Sequence, residues 1–369
     1  MAPTLDDIHP DIIQTHILPL LDGPSLSSTA AASPHLKTLC SDDNLWSQIC
    51  TSTWPSIAHP RVQHAISTFP AGHRSFFEDS FPALIADVSR RNPRRSWSAP
   101  KSDSDLDRSF QTSSELISAV DLRYLDDVVY SRVNFTKITP DFLSSAFGVE
   151  LNDDVYTSTN RSGSGSGSGS KDVVNRISRS IDLTVDEIAG ADKLTLSHLK
   201  QSVTLNWILI DPTRKRACNL SSIKPVFARQ DWVTNETLLR FVTVLPGSDP
   251  NEIVKCGIKV VLGVGEKGVG LYVKEVVLKL MDLDSGMLSG REFLVISRGA
   301  FLEENNVRRR KVVDDEERLR CYKLFKEMKR EKKKWMEKEE RKKEMAIQFN
   351  YAVIFVSFFL SVYFLFLLW

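Results

Sequence analysis

The sequence predicts a multi-domain α+β protein: short helices near the N-terminus, a β-rich middle domain, a long charged helix and a single C-terminal transmembrane helix. Three observations lead to this fold class. Residues 5–50 place apolar side chains at helical spacing between breaks marked by proline and glycine. Residues 113–300 contain runs in which apolar and polar side chains alternate, as in half-buried strands. Met345–Trp369 contains no charged residue and is long enough to cross a bilayer as a helix.

Residues 5–50 predict three or four very short helices. Pro10 stands at a first helical position, where its fixed φ suits the helix and its missing N–H is not needed. An apolar stripe follows at helical spacing, formed by Ile13, Ile17, Leu18 and Leu21. Asp22-Gly23-Pro24 is expected to end this helix, with the glycine as its C-terminal cap, and to begin the next with the proline. Ser33 is a good N-cap for a third helix.

The apolar side chains of this segment need a partner surface. Leu45, Trp46 and Ile49 form a last apolar turn after the break at Asp42-Asp43-Asn44. About 40 residues are too few to bury such side chains alone. The partner surface lies either elsewhere in the chain or on another protein, and one interpretation is an ordinary helical hairpin packed on the protein's own core.

The same residues resemble an F-box, the module that docks a substrate receptor onto the Skp-type adaptor of a cullin–RING ubiquitin ligase. The resemblance implies that the matching apolar positions bind this adaptor and, through it, a cullin. These positions are Ile8, Pro10, Ile12, Ile13, Ile17, Leu18, Leu21, Leu26, Leu36, Leu45 and Trp46. The segments HPDIIQTHIL, LDGPSL and STWPS are similar to the corresponding sequence of one group of plant F-box proteins. Leu36 stands where the family often has tryptophan, and 27–32 lacks bulky residues, so we expect a lower adaptor affinity.

Composition excludes several functional classes. The chain has 48 Lys and Arg against 47 Asp and Glu, so no global field predicts nucleic-acid binding. The five cysteines are scattered without a CxxC pair, which argues against zinc and disulfide frameworks. The N-terminus lacks a basic and apolar leader, so we expect no signal peptide and a cytosolic setting. No HExxH or GxSxG motif is present. We expect no cofactor, no metal and no catalytic residues.

Residues 51–112 are expected to be a helical or irregular connector. They hold aromatic side chains among prolines and arginines, which is typical of packing material that continues the preceding helices. A basic run at 90–95 precedes Ser96 and Ser98. A kinase that prefers upstream arginines would modify one of these serines, whereas the plainer interpretation is a solvated basic loop.

The β-rich domain at 113–300 is interrupted by a Gly/Ser tract at 161–170, which we expect to be a flexible loop. Beyond that tract the runs predict strands at Val203–Ile210, Leu238–Leu245, Ile253–Val264, Val269–Leu280 and Glu292–Ser297. Strands at this spacing predict an antiparallel sandwich or curved sheet. In an F-box protein the domain after the F-box selects the protein substrate. Some plant members carry a lectin-like sandwich there, and Trp207, Trp232 and Tyr272 would then stack on a sugar, although strand aromatics are more often core.

A glycine motif in this domain permits an enzymatic alternative. Gly263, Gly265 and Gly268 fit GxGxxG after an apolar strand, with Asp282 and Asp284 about 20 residues further on. A dinucleotide site also needs a helix that opens at the last glycine. The next residues are β-branched and partly alternating, so a turn between two strands is the simpler interpretation.

The C-terminal part carries the second main signal. Residues 308–344 contain 17 Lys and Arg against 10 Asp and Glu, without Gly or Pro, which predicts one basic charged helix within 301–345. The apolar segment 346–369 then predicts a tail anchor that leaves the preceding residues in the cytosol, with the endoplasmic reticulum as the favoured membrane. The residues expected in the membrane include Tyr351, Phe355, Phe358, Phe359, Leu360 and Trp369.

Together these features predict a non-catalytic substrate-recognition subunit of a ubiquitin ligase, held at a membrane and recruiting a protein for ubiquitination. The alternative is a tail-anchored scaffold or lectin-like binding protein that does not engage a ligase.

Overall fold

The structure is a computed structural model. It describes residues 9–81, 83–86, 114–152, 177–178, 181, 193–248, 252–264, 270–302, 307–310 and 315–367. The Gly/Ser tract, the serines at 96 and 98, Ile8 and Trp369 lie outside the described residues. The fold is mixed, with a helical N-terminus and one long C-terminal helix that becomes apolar.

The helices are short except for the last. They are α1 (Pro10–Ile12), α2 (Gly23–Ala32), α3 (Pro34–Leu39), α4 (Asp43–Thr53), α5 (Pro60–Ser67), α6 (Gly72–Ser80), α7 (Pro140–Ser144), α8 (Lys193–Ser202), α9 (Gly290–Leu302) and α10 (Asp315–Leu367). A π-helical turn, Ile13–Ile17, and a 3-10 turn, Leu18–Leu20, continue α1. A second 3-10 turn, Pro55–Ala58, separates α4 from α5.

The strands form two sheets. They are β1 (Ala83–Ala86), β2 (Glu115–Tyr124), β3 (Asp127–Lys137), β4 (Gly148–Asn152), β5 (Ile177–Ser178), β6 (Val203–Asp211), β7 (Arg216–Asn219), β8 (Phe227–Gln230), β9 (Thr237–Pro246), β10 (Ile253–Val264), β11 (Leu271–Met281) and β12 (Val307–Arg310). The first sheet has the order β12-β1-β7-β6-β2-β3-β5, and the second has the order β4-β11-β10-β9-β8. The described pairs are antiparallel except β1 with β7.

The molecule is arranged in four layers. The inner faces of the two sheets enclose the largest core, in which Trp207 of β6 and Phe241 of β9 are fully buried. The N-terminal helices cover the outer face of the first sheet, where Ile117 and Ile208 meet them. The first turns of α10 cover the outer face of the second sheet. Each sheet is therefore buried on both faces at its centre, which explains its apolar strands.

The predicted sandwich is confirmed for four of its five named strands, which appear as β6, β9, β10 and β11. The strand predicted at Glu292–Ser297 is wrong, because these residues belong to α9. Phe293 and Ile296 lie three residues apart and bury the same helical face. The Phe293 ring stacks on Phe147 with 3.6 Å between the ring centroids. Tertiary packing therefore overrides the short alternating pattern.

The expected role of Gly23 is also wrong. Asp22 is the N-cap of α2, since its Oδ1 accepts a hydrogen bond from Ser25 N at 2.9 Å, and Gly23 opens that helix instead of ending the previous one. Ser33 caps α3 as predicted and accepts from Leu36 N at 3.1 Å. Both caps satisfy an N–H that has no partner within its helix.

The C-terminal helix starts later than the sequence predicts. Val307–Arg310 pairs antiparallel with β1, so these residues are a strand and α10 begins at Asp315. From there the charged part and the apolar part form one uninterrupted helix to Leu367. Phe325 and Met328 of this helix are buried against Val242, Val244 and Ile253 of the second sheet.

Candidate functional site

The first helical stretch, from Pro10 to Leu20, divides its apolar residues between the chain's own core and the solvent. Ile13 and Leu18 are fully buried. Ile12, Ile17 and Leu20 leave 48%, 37% and 84% of their surface exposed. Pro10 is exposed as well. We call Pro10, Ile12, Ile17 and Leu20 the apolar strip.

The other positions of the predicted adaptor site are mostly inside the chain. Leu26, Leu45 and Trp46 are buried, whereas Leu21 and Leu36 are half-buried. The Trp46 indole N–H donates to the carbonyl oxygen of Cys40 at 2.7 Å. Burial together with an internal hydrogen bond gives Trp46 a place in the chain's own core.

A close contact holds α2 against α6. The Phe77 ring lies so near Gly23 that a Cβ at that position would be 2.0 Å from the nearest ring atom. Phe77 also packs against Trp46 and Phe81, with ring centroids 5.3 Å and 4.9 Å away. Only glycine permits this approach, so the start of α2 is fixed by a residue more than 50 positions later.

His73 ties α6 to α4 and α5. Its backbone N–H donates to Asp43 Oδ1 at 2.7 Å, and its Nδ1 lies 2.9 Å from Asp43 Oδ2. Its Nε2 lies 2.9 Å from Gln63 Oε1. The buried imidazole therefore has a partner at each nitrogen, which is typical of a structural histidine.

Asp121 of β2 joins the helical layer to the first sheet. This buried carboxylate accepts from Ser56 N at 3.0 Å, Ser56 Oγ at 2.5 Å and Ser131 Oγ at 2.6 Å. Burial raises the pKa of Asp121 to about 6, while the two serines and the charge of Arg123 act in the opposite direction. Desolvation outweighs the hydrogen bonds because the carboxylate is completely enclosed.

Two arginines reinforce the same boundary. The Arg123 guanidinium donates to Ser52 O at 2.5 Å and Thr53 O at 3.0 Å, which are carbonyl groups at the C-terminal end of α4. A cation there satisfies free carbonyls and complements the helix dipole. Arg216 of β7 binds Asp79 of α6 through Nε–Oδ2 and Nη2–Oδ1 contacts of 2.8 Å and 3.0 Å.

These contacts have a direct consequence for the site. The helical layer shares its core with Ile117, Ile208 and the rest of the outer sheet face, so its buried apolar residues already have their partner surface. The apolar strip is the part of the first helical stretch that stays available to another protein. Sequence reasoning missed Leu20, which stands beside Pro19 and outside the predicted stripe.

The alternative of a sugar-binding site depends on whether the aromatic side chains are exposed. Trp207 is fully buried between the sheets, so it has no face for an external sugar. Trp232 lies in the turn between β8 and β9 and is 92% exposed.

The glycine motif lies between β10 and β11, which pair antiparallel up to Val264 and Leu271. The residues on either side of the motif are therefore paired strands, and the described residues that directly follow it form β11 and not a helix; residues 265–269 lie outside the described part.

The C-terminal end of α10 has the length and composition of a membrane span. Within the described residues, α10 is the helix that is apolar enough to cross a bilayer, and its apolar stretch is not buried in the chain. Tyr351, Phe355 and Phe359 are all exposed, as are Phe358 and Leu360. A helix that exposes large apolar side chains on every face is unlike a core helix of a soluble protein.

The described residues hold no group of three or more His, Cys, Asp or Glu placed to bind a metal. Sequence reasoning also missed Asp121 and Asp79. For Asp121 the available signal was an isolated acidic residue inside Ser118–Leu122, whereas Asp79 follows Glu78 and gave no such signal.

Comparison with curated proteins gives three relatives from Arabidopsis thaliana. F-box protein At2g27310 is 34% identical over 371 residues, covering 97% of this chain and 96% of that protein. F-box protein At3g44326 is 35% identical over 308 residues, covering 81% and 75%. Probable F-box protein At2g36090 is 36% identical over 295 residues, covering 80% and 74%. No protein-family profile matches the chain. No solved structure matches it either.

Proposed function

We propose, from the premise that this chain belongs to the family of plant F-box proteins, that it is the substrate-recognition subunit of an SCF-type ubiquitin ligase held at a membrane. The chain carries out no chemistry itself. It brings a protein substrate beside the ubiquitin-loaded enzyme and so raises its local concentration. One observation carries the proposal: the two ends of the chain each expose apolar residues that its own core leaves uncovered.

The N-terminal end supplies the adaptor contact. The apolar strip presents Ile12, Ile17 and Leu20 to solvent on a stretch that Ile13 and Leu18 anchor from beneath. Exposed aliphatic side chains on a well-anchored element are typical of a docking surface. Leu45 and Trp46 contribute by supporting that element and do not reach the partner directly, because they are buried.

The two-sheet body supplies the substrate contact. It lies between the helical layer and α10, and its turns carry exposed side chains such as Trp232 and Val233. Because the helical layer and the sheet are joined through Asp121 and Asp79, the substrate is presented in a defined orientation to the adaptor.

The C-terminal end supplies the membrane attachment. Residues 346–369 form a single-pass tail anchor, and Arg341-Lys342-Lys343 stays on the cytosolic side with the body. The helix leaves the second sheet near Lys332, where Nζ binds Asp284 at 2.6 Å. Between Lys332 and Met345 it then rises about 20 Å, which sets the distance between the body and the bilayer. The endoplasmic reticulum is the membrane we favour.

The test is affinity purification of the full-length protein from detergent-solubilised membranes, with partners identified by mass. We expect to recover a Skp-type adaptor and a cullin. Replacing two residues of the apolar strip, Ile12→Asp with Ile17→Asp, should abolish their recovery while membrane attachment remains.

Trp232→Asp with Val233→Asp is the matched control, since it places the same two charges on exposed apolar residues of another element, and it should leave adaptor recovery intact. If the wild-type protein recovers neither adaptor nor cullin, the ligase assignment is wrong, and the alternative of a tail-anchored scaffold or binding protein takes its place.

A further inference from the structure

A cleft opens where α8, the loop between β7 and β8, and the first turns of α10 meet. Its volume is about 180 Å³, and it is partly open to solvent. We call it the α8 cleft. The residues that line it belong neither to the apolar strip nor to the membrane segment, so neither the adaptor contact nor the membrane attachment accounts for it.

α8 supplies the polar part of the cleft. Ser197, Lys200 and Gln201 are separated by three and four positions, so their side chains lie on the same face of the helix. A hydroxyl, an ammonium and a primary amide all carry hydrogen-bond donors. Within the part of the chain that the structure describes, no Asp or Glu lines the cleft. The α8 face therefore suits a ligand group that accepts hydrogen bonds and is negatively charged.

The remaining part of the cleft is largely aliphatic. Pro225 and Val226 border it from the end of the loop before β8, and Leu319 borders it from α10. Leu319 leaves 37% of its surface exposed, so it has apolar area that a ligand could still cover. Among the described residues, no aromatic ring lines the cleft. The apolar part therefore suits an alkyl group better than a ring that needs a stacking partner.

The loop before β8 has a strained backbone beside the cleft. Ile223 has a φ of 65°, where a β-branched residue is an outlier. Lys224 N donates to Ser222 O at 2.7 Å, so Ile223 is the central residue of a γ-turn of the rare kind with positive φ. Leu205 N donates to Ile223 O at 2.8 Å and ties this turn to β6.

Ser222 holds the same turn from the other side. Its hydroxyl donates to Lys224 O at 2.9 Å and accepts from Val242 N of β9 at 3.1 Å. Backbone strain of this kind persists only where surrounding contacts impose it, and it is concentrated at functional sites. In this loop the strained turn directly precedes Lys224 and Pro225, which both border the cleft. The cleft is thus bounded by a backbone conformation that several contacts maintain.

We propose that the α8 cleft binds a short aliphatic carboxylic acid. The carboxylate accepts hydrogen bonds from the donors of α8, and Lys200 supplies the opposite charge. The alkyl chain covers Pro225, Val226 and Leu319. The cleft has the volume of about six molecules of liquid water, at about 30 Å³ each, which accommodates a chain of about four to six carbons. It is smaller than the sites of drug-sized ligands, which have about 300–1,000 Å³.

The acid would also connect two elements. Its carboxylate contacts α8, whereas its chain contacts Leu319 of α10. A ligand that binds only the docked arrangement stabilises that arrangement. Occupancy of the cleft therefore strengthens the attachment of the first turns of α10 to the two-sheet body. This inference does not depend on the ligase assignment, and the Ile12→Asp, Ile17→Asp protein should bind the acid as the wild type does.

The experiment uses the full-length protein in nanodiscs of phosphatidylcholine. Saturation-transfer NMR measures binding of sodium hexanoate, and empty nanodiscs give the background from partition into lipid. Hexan-1-ol has the same chain length without the charge, and inorganic phosphate has charge without the chain. We expect saturable binding of hexanoate, about fivefold or more weaker binding of hexan-1-ol, and no displacement of hexanoate by equimolar phosphate.

Lys200→Gln should weaken hexanoate binding about fivefold or more, because a neutral amide replaces the ammonium beside the carboxylate. Leu319→Ala should weaken it about threefold through loss of apolar contact. Lys334→Gln is the matched control for charge, since it removes the same charge from an exposed position of α10 outside the cleft. It should change the affinity by less than about twofold. The two lysine variants should melt close to the wild type, so that weaker binding does not reflect a damaged fold.

A second measurement follows the attachment of α10. Arg320 and Lys323 are exposed and follow Leu319 on this helix. Hexanoate should slow trypsin cleavage after these two residues in the wild type, because cleavage requires the helix to leave the body. It should have no such effect on the Lys200→Gln protein. Unchanged cleavage in the wild type would overturn the link between the cleft and α10.

Four results would overturn the binding site itself. The first is a hexanoate signal no larger than that of empty nanodiscs, and the second is equal binding of hexan-1-ol. The third is displacement of hexanoate by equimolar phosphate, which would indicate a general anion site. The fourth is equal weakening of hexanoate binding by Lys200→Gln and Lys334→Gln.

Discussion

Ser56 and Asp121 lie 65 positions apart and are joined by two hydrogen bonds, Oγ to Oδ2 at 2.5 Å and N to Oδ1 at 3.0 Å. The pair links the 3-10 turn after α4 to the centre of β2. Since both residues are buried, the connection between the helical layer and the sheet contains a charged, fully enclosed group. Such a group is sensitive both to the loss of a partner and to pH.

Ser56→Ala should destabilise the fold, because it leaves the Asp121 carboxylate with one donor fewer in a buried position. We expect a loss of about 1–3 kcal/mol in the free energy of unfolding. Thermal unfolding of the full-length protein in detergent measures the effect. Ser67→Ala serves as control, since its hydroxyl is exposed and donates only to a carbonyl of its own helix. Equal effects of the two changes would contradict the role given to Ser56.

Asp121 should make stability depend on pH in the direction opposite to most acids. Its folded pKa of about 6 lies above the unstructured value of 3.8, so the folded state binds the proton more tightly. Its contribution to stability is therefore fully present below about pH 3.8 and is lost as pH rises through 6. The difference corresponds to about 3 kcal/mol. Chemical unfolding of Asp121→Asn and of the wild type between about pH 4.5 and 7 measures this effect. The free energy of unfolding should depend less on pH in the variant. Identical pH dependences in the two proteins would contradict the prediction.

Gly23→Ala should destabilise the helical layer, because the added methyl would overlap the Phe77 ring. We expect a cost of about 1–3 kcal/mol from forced displacement of that ring. Gly148→Ala is the matched control: the nearest atom to its added Cβ is 3.7 Å away, an ordinary contact. In a protein that already carries Phe77→Leu, Gly23→Ala should cost less unfolding free energy than it does in the wild type, because the ring that the methyl would overlap is gone. A normal melting temperature for Gly23→Ala would refute the close packing of α2 on α6.

Phe325→Ala should release the first turns of α10 from the second sheet. Truncation of this buried side chain should cost about 3–5 kcal/mol locally, and trypsin should then cleave faster at the lysines near it. Met336→Ala is the control, since that side chain is half-exposed and lies beyond the docked turns. Equal cleavage rates in both variants would mean that α10 is not docked in solution.

Phe355→Arg with Phe359→Arg should weaken membrane attachment. Each arginine near the middle of the apolar segment should oppose insertion by about 2.5–3.5 kcal/mol. Alkaline extraction of membranes from expressing cells measures the released fraction. Met336→Arg lies outside the apolar segment and should leave the protein in the pellet. Full retention of the double variant would argue that residues 346–369 do not span the bilayer.

The sequence patterns predicted where helices and strands lie better than they predicted which residues each side chain contacts. Helical starts at Pro10 and Pro34, and at the residue before Pro24, followed from proline and cap chemistry, which act within a few residues. In α9 the alternation of Glu292–Ser297 pointed to a strand, whereas a capping box opens a helix there: Glu292 N donates to Ser289 Oγ at 3.3 Å, and Ser289 N donates to Glu292 Oε2 at 2.9 Å. That local signal was missed, while the stacking of Phe293 on Phe147 joins positions far apart in sequence, which no local pattern reveals.

The candidate site shows the same division. The apolar character of Trp46 and Ile17 was evident from the sequence, but the burial of one and the exposure of the other were not. Trp46 is covered by Phe77, and this depends on how α6 returns across α2 and α4. In the sequence, Asp121 is a single acidic residue within an apolar run. The structure shows its function, which is to accept a hydrogen bond from the distant Ser56.

The shared core of the N-terminal helices and the first sheet limits how this protein can be recombined. Ile117 and Ile208 complete the packing beneath the helices, so a chimaera that exchanges residues 9–81 for those of another F-box protein would place foreign helices on a sheet surface that they do not fit. Mutations that tune one layer must also suit the other. In this chain, therefore, the N-terminal helices and the first sheet form one packing unit, and the helices do not behave as an exchangeable cassette.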